Sequence, residues 1–374
     1  LEKVAARKAG VLTTVSEHSA EEAQHLLGRK PDLVTPNGYR GQSEIDDKRR
    51  AEVREELLTR AERFLGTKLD HATTQIAMTA ARYEYRTKGL DLVINALGRL
   101  VASEKRPKRK LLVIMAVAAN QTGPRPEVLA RLRSDKLAGE PCGRTTHKLA
   151  HPEDDEILLG CDAAGLTNQP DDAAYVMFVP IRLSGDDPVI PFTYDEVIRA
   201  SDVTFFPSLY EPWGYTPVES LAAGVPTVTT DLTGFGRYLL EREDEEHRGV
   251  LVLPLASASE EDVDALLDRA LTRFLDTDDV HLEQIRADSA AVLERVRWEN
   301  LIGKTLSAHE MALARAGEAR VAALSPSLAG RGRRAVISLP STSAERPHLH
   351  RFTVAAEVPE KLRRMVTLAR NVWW

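Results

Sequence analysis

Six short apolar runs recur along the chain, at residues 75–79, 111–117, 175–179, 203–206, 225–229 and 250–253. Each is too short for a helix and is rich in β-branched, aliphatic or aromatic residues. Polar stretches of helix length separate most of them. Their apolarity is continuous and does not alternate, which predicts strands buried on both faces. The fold class is therefore α/β, a Rossmann-like parallel sheet with helices on both sides. After the last run, Ser259 predicts an N-cap, and Val263, Leu266, Leu267, Ala270, Leu271 and Phe274 form one apolar helical stripe. Residues 298–316 predict another helix. Asp46–Leu65 carries leucines and alanines at helical spacing among many charges and predicts a solvent-facing helix.

The two ends read differently. Near the start, residues 11–15 predict a short strand, and Ser19-Ala20-Glu21-Glu22 predicts a capping box opening a helix through Leu27. Lys30-Pro31 stops it, 32–35 is extended, and Pro36-Asn37-Gly38 is a turn. Beyond Gly317 the stretch 323–346 is rich in Ser, Pro, Gly and Arg and predicts a linker carrying His348 and His350 at its end. RFTVAAEVPEKLRRMVTLARNVWW then resumes an ordered pattern, a strand followed by an amphipathic helix.

Composition changes this picture little. The 374 residues are 43% hydrophobic and 28% charged, as in a globular protein with room for two domains. A net charge of −6 argues against nucleic acid or an anionic membrane as partner. Cys142 and Cys161 lack metal-type spacing and are too few for a disulfide framework, which points to a reducing cytoplasm. No apolar run approaches the ~20 residues of a membrane span. The opening LEKVAARKAG is no signal peptide, and without an initiator methionine the chain is expected to be cut from something longer. The acidic runs Glu153–Glu156 and Glu241–Glu246 read as solvated turns and not as metal sites. Gly303-Lys304-Thr305 lacks the upstream glycine of a P-loop, since Trp298 stands there.

Candidate chemistry concentrates in Ser201–Gly236. A buried strand leads into Tyr210-Glu211-Pro212-Trp213-Gly214-Tyr215, a loop made rigid by proline and aromatics. Thr216-Pro217-Val218-Glu219 predicts a helix start, with Thr216 as N-cap, Pro217 first in the helix and Glu219 closing a capping box. Gly224 and Pro226 end that helix, a second strand follows, and Thr233–Gly236 is a glycine turn. Such a strand, loop and helix N-terminus present free N–H groups and a positive dipole end to an anion. Glu211 and Glu219 flank the loop and address different parts of one ligand, because the prolines keep them off one helix. Upstream, RYEYRTKG brings Arg82 and Lys88 to the end of another strand, as a guanidinium fork and a compact charge for a pyrophosphate. Each motif has a plainer reading, as surface charge, a half-buried Tyr194 at a helix start, or a Glu219 that only caps.

YEPWGYTPVES, with the TTDLTGFG that follows it and RYEYRTKG before it, resembles the donor-binding signature of glycogen synthases of the animal and fungal type. The resemblance covers roughly residues 11–316. It implies the two-domain GT-B fold and retaining transfer of glucose from UDP-glucose or ADP-glucose to the non-reducing end of an α-1,4-glucan, without a metal or other cofactor. It implies catalytic or donor-binding roles for Arg82 and Lys88 on the phosphates, and for Glu211 with the Trp213 and Gly214 backbone on the glucose hydroxyls. Tyr194 would stack on the base and Glu219 would contact the ribose. Tyr215 and Thr216 complete the donor set. Two positions depart from the family pattern. Ala80-Ala81 replaces a small residue and a glycine, narrowing the space for a phosphate, and Thr87 replaces asparagine. Residues 1–40 resemble the tail of the family's first Rossmann-like domain, whose glycine-rich loop, histidine and acceptor groove have no counterpart here. In the same reading, 41–72 is an interdomain helical segment and 73–290 the donor domain. Residues 291–320 form a returning helix and 321–345 a linker. The stretch 346–374 is similar to the start of a bacterial α-glucan phosphorylase. A homo-oligomer is compatible with this organisation. Rival readings are another GT-B transferase, or a non-catalytic nucleotide- or glucan-binding module regulating the fused phosphorylase.

Overall fold

The computed structural model describes residues 1–41, 46–105, 107–242 and 249–328. Strands β1 (Thr13–Thr14) and β2 (Leu33–Val34) form a small parallel pair. They are followed by β3 (Gln75–Ala81), β4 (Leu111–Val117), β5 (Gln121–Pro124), β6 (His147–Leu149) and β7 (Ala174–Val179). The last three are β8 (Val203–Phe205), β9 (Thr227–Thr230) and β10 (Val250–Leu253). Six of them build one sheet in the order β10-β9-β8-β3-β4-β7, with every pair parallel. These are the six apolar runs, with ends shifted by a residue or two. Their continuity has the expected cause. Ile76, Met78 and Ala80 of β3 enter the core on one face of the sheet, while Ala77 enters the core on the other. The first core lies under helices Asp47–Leu65 and Tyr194–Ala200. The second lies under Leu90–Ala102, Glu156–Ala163 and Glu260–Asp276. Residues Leu1–Ala319 form one compact unit.

The strand order fixes where a ligand can sit. From β3 the chain moves outward through β4 and β7, then returns to β8 on the other side of β3 and moves out through β9 and β10. The carboxyl ends of β3 and β8 therefore diverge at a topological switch point, where open α/β sheets leave a crevice.

Several expectations are corrected. The Asp47–Leu65 helix is not solvent-facing, because Val53, Leu57, Leu58, Ala61, Phe64 and Leu65 form a buried stripe against the sheet. Glu62 is buried with them, its Oε1 accepting from Leu69 N at 2.9 Å. A first helix, Glu2–Lys8, precedes β1, and the helix expected to open at Ser19 starts at Glu17. Its cap is Ser16, whose Oγ accepts from Ser19 N at 3.2 Å, so Ser19 opens no capping box. The helix then widens into a π-helical turn, Ala23–Leu27. The Trp298 helix continues to Leu328, into residues expected as linker, because the alanine-rich stretch after Gly317 favours helix. Along its course Arg315 Nη1 donates to Asp32 Oδ1 at 2.8 Å and to Gly10 O at 2.6 Å. By contrast, the Ser259 cap is present as a full capping box with Asp262. The remainder of the expected linker, His348, His350 and the phosphorylase-like tail lie outside the described residues, as does most of the Glu241–Glu246 run.

Candidate active site

The loops leaving β3 and β8 meet across the crevice. Gly89 follows Lys88 with φ +64, and a Cβ there would stand 2.1 Å from Pro207 O, so only glycine permits this approach. Leu209 N donates to Thr87 O at 2.8 Å and locks the two loops together. As a result Lys88 is only 7% exposed, and its Nζ donates to Glu211 Oε1. The lysine of one motif and the glutamate of the other, 123 residues apart, form one ion pair.

The pair lies in an open cleft of about 250 Å³. Thr79, Ala80, Ala81 and Arg82 line it from β3 and its loop, and Phe206 and Ser208 from the end of β8. Tyr215 and Thr216 close the third side. Of the expected residues, Arg82, Lys88, Glu211, Tyr215 and Thr216 are thus brought together. Arg82 is 78% exposed and paired with Glu84 at 2.7 Å, so its guanidinium stands at the rim. Ala80 and Ala81, the pair that departs from the family pattern, are among the residues that line the cleft, and their side chains go to opposite faces of the sheet. Thr79, Phe206 and Ser208 carry no motif signal. Their position at strand ends flanking a switch point is the cue that would have found them.

The helix behind the cleft is Tyr215–Ala222, and its cap differs from expectation. Gly214 is the N-cap, with φ +101, and no side chain caps the first turn. Thr216 and Pro217 are already helical, and Glu219 closes no capping box. The reason is tertiary. Gly234 N donates to Glu211 O at 3.0 Å and Phe235 N to Trp213 O at 2.7 Å, pinning the loop to the next turn. That pinning starts the helix two residues early, with a left-handed residue no other type adopts easily. Tyr215 and Thr216, at the start of this helix, line the cleft, and no side chain caps the N–H groups of its first turn. Thr233, expected in a glycine turn, caps the helix Gly234–Leu240 through Gly236 N at 3.1 Å. The Trp213 side chain points away from the cleft, buried among Phe235, Tyr238 and their neighbours.

Glu219 and Tyr194 form a second cluster. Tyr194 OH donates to Glu219 Oε2 at 2.9 Å, a contact between residues 25 apart that sequence reading did not anticipate. Burial raises the Glu219 carboxyl above the ordinary range; Tyr194 opposes that rise and Asp195 adds to it. Burial likewise raises the Tyr194 phenol, with Glu219 adding to the effect. Tyr39 faces the same charge, its phenol raised by burial and then by Glu219 and Asp195.

A raised carboxyl contributes stability that is complete below its ordinary pKa and is lost as pH rises through the folded value. Glu219→Gln keeps an acceptor for Tyr194 and removes the charge. Its urea midpoint should therefore gain on the parent's at pH 7.5 relative to pH 4. An equal difference at both pH values would contradict the burial argument.

The family model described as "Glycogen synthase" matches residues 1–124 and 127–361. Glycogen [starch] synthase of Neurospora crassa is 27% identical over 84% of this chain and 53% of its own length. Glycogen [starch] synthase isoform 2 of Saccharomyces cerevisiae is 30% identical over 72% of this chain and 48% of its own. The chain spans about half the length of the curated relatives it matches. Among solved structures, Anabaena Alr3699/HepE in complex with UDP aligns over 82% of this chain and 66% of its own. Its identity is 15% and its TM-score 0.46.

Proposed function

Because the chain belongs to the glycogen synthase family, we propose that its cleft binds a nucleotide-sugar as the donor half of a retaining GT-B glucosyltransferase. The reaction is transfer of glucose from UDP-glucose or ADP-glucose to the non-reducing end of an α-1,4-glucan. The observation that carries this reading is the Lys88–Glu211 pair at the switch point, under an uncapped helix N-terminus. Lys88, Arg82 and the first turn of the Tyr215–Ala222 helix supply donors around one space, which a diphosphate would engage as it shares Lys88 with Glu211. As the sugar–phosphate bond breaks, charge builds on the departing diphosphate, and donors already in place stabilise it. Glu211 accepts from glucose hydroxyls. Trp213 O is occupied by Phe235, so the backbone share falls to the N–H groups and to Gly214. Tyr194 stacks on the base and Glu219 contacts the ribose.

The segment beginning at Arg351 supports a wider proposal, that the protein continues into an α-glucan phosphorylase domain and acts on cytoplasmic glucan. Among the described residues no helix is long and apolar enough to cross a membrane.

The test is incorporation of labelled glucose into glycogen by the protein, from UDP-glucose and from ADP-glucose, with Glu211→Ala alongside. Transfer from one donor that the variant loses is the expected result. Nucleotide binding without transfer from either donor would favour a non-catalytic regulatory module instead.

A further inference from the structure

Glu219 is an acidic group in poor surroundings for a charge. Asp195 and the phenols of Tyr39, Tyr194 and Tyr215 face it, and no cation is among the groups that perturb it. Its hydrogen bond in the described structure comes from Tyr194, to Oε2. That phenol is itself held firmly. Tyr194 opens the helix Tyr194–Ala200, and Thr193 and Glu196 close a reciprocal capping box in front of it. Arg49 fastens the box further, donating to Glu196 Oε1 through Nε at 2.8 Å and Nη2 at 2.6 Å. A carboxylate left to itself turns freely about its last torsion, because that torsion is broad and two-fold. One oxygen fixed by a rigid phenol leaves the other, Oε1, in a set place.

Resting on the nucleotide-sugar reading above, we infer that the Tyr194 hydroxyl is a positioning group that aims Glu219 Oε1 at the ribose hydroxyls of the bound nucleotide. It thereby makes recognition of the ribose depend on the residue that stacks on the base. Two recognition tasks then share one hydrogen bond. The phenol ring supplies area to the base, and its hydroxyl decides whether the sugar is read as ribose or deoxyribose. The same bond favours the ionised carboxyl, the form that only accepts. Losing it would turn Glu219 toward the protonated form and degrade diol recognition most in mild acid.

The experiment is calorimetric titration of the chain with UDP, ADP and their 2′-deoxy analogues at pH 6 and pH 8. The parent is compared with Tyr194→Phe, which keeps the ring, and Glu219→Gln, which keeps an acceptor for Tyr194. Urea unfolding establishes that both variants are folded. In the parent the preferred ribonucleotide should bind about tenfold tighter than its deoxy analogue, the effect of one good hydrogen bond to a charged acceptor. Tyr194→Phe should reduce that ratio to about threefold or less, more at pH 6 than at pH 8, with deoxy affinity within about twofold of the parent's. Glu219→Gln should lose the ratio at both pH values. A parent that binds both sugars alike, or a phenylalanine variant that keeps the full ratio, overturns this inference and leaves the nucleotide reading intact. A folded parent that binds no nucleotide overturns both.

Discussion

Lys88→Ala is expected to weaken UDP binding by about ten- to a hundredfold while leaving the fold intact. A hydrogen bond to a charged group contributes about 1.5–3 kcal/mol, and each 1.4 kcal/mol is tenfold in affinity. The reasoning is specific to this cleft. Lys88 is nearly buried and its ammonium contacts Glu211, so its removal strands a carboxylate where phosphate oxygens must come. The cleft floor goes from balanced to negative. At the rim, Arg82 already shares its charge with Glu84, and its variant should cost less, about threefold, because exposed pairs are worth little. Glu211→Gln makes the argument sharper. It frees Lys88 from its carboxylate, so UDP should bind as well as before or about threefold tighter. UDP-glucose should lose its advantage over UDP, since the group that accepts from the sugar has changed. Calorimetry on the four proteins tests all of this. UDP binding by Lys88→Ala within twofold of the parent would remove the lysine from the phosphate site.

Much of this arrangement was legible in the sequence, for physical reasons. Strands buried on both faces have to be continuously apolar, so all six appeared as runs. The lysine and glutamate motifs stood out because rigid loops at strand ends need glycine, proline and aromatics. What escaped reading depends on contacts distant in sequence. Thr216 carries the local signature of an N-cap, yet Gly214 takes that place because Gly234 and Phe235 pin the preceding loop. Glu219 looked like the end of a capping box, and its partner is Tyr194 on another helix. In Asp47–Leu65 the frequent charges concealed a buried stripe. Some of those charges are structural, as Arg54 shows.

Arg54 belongs to the cluster whose loss should destabilise the protein most. Asp202 lies just before β8, at the amino end of the sheet. Its Oδ2 accepts from Arg54 Nη1 at 2.6 Å and from Ile76 N at 2.8 Å, and its Oδ1 from Arg286 Nη2 at 3.0 Å. One carboxylate thus joins the Asp47–Leu65 helix, the start of β3 and the helix Asp279–Arg295. Asp202→Ala would leave two guanidinium groups facing each other, the Arg286 side chain 8% exposed, and a buried N–H unpaired. Breaking a buried pair from one side costs about 3–5 kcal/mol. Asp202→Asn keeps an acceptor for one partner and should fall between. Urea unfolding measures both, and a loss below about 1 kcal/mol for the alanine variant would show that water replaces the carboxylate. The cluster sits at the opposite end of the strands from the cleft, so the two functions of the sheet should separate. Asp202→Ala should lower stability while its folded fraction binds UDP like the parent. Lys88→Ala should do the reverse, because the amino ends of β3 and β8 hold the sheet together and their carboxyl ends hold the ligand.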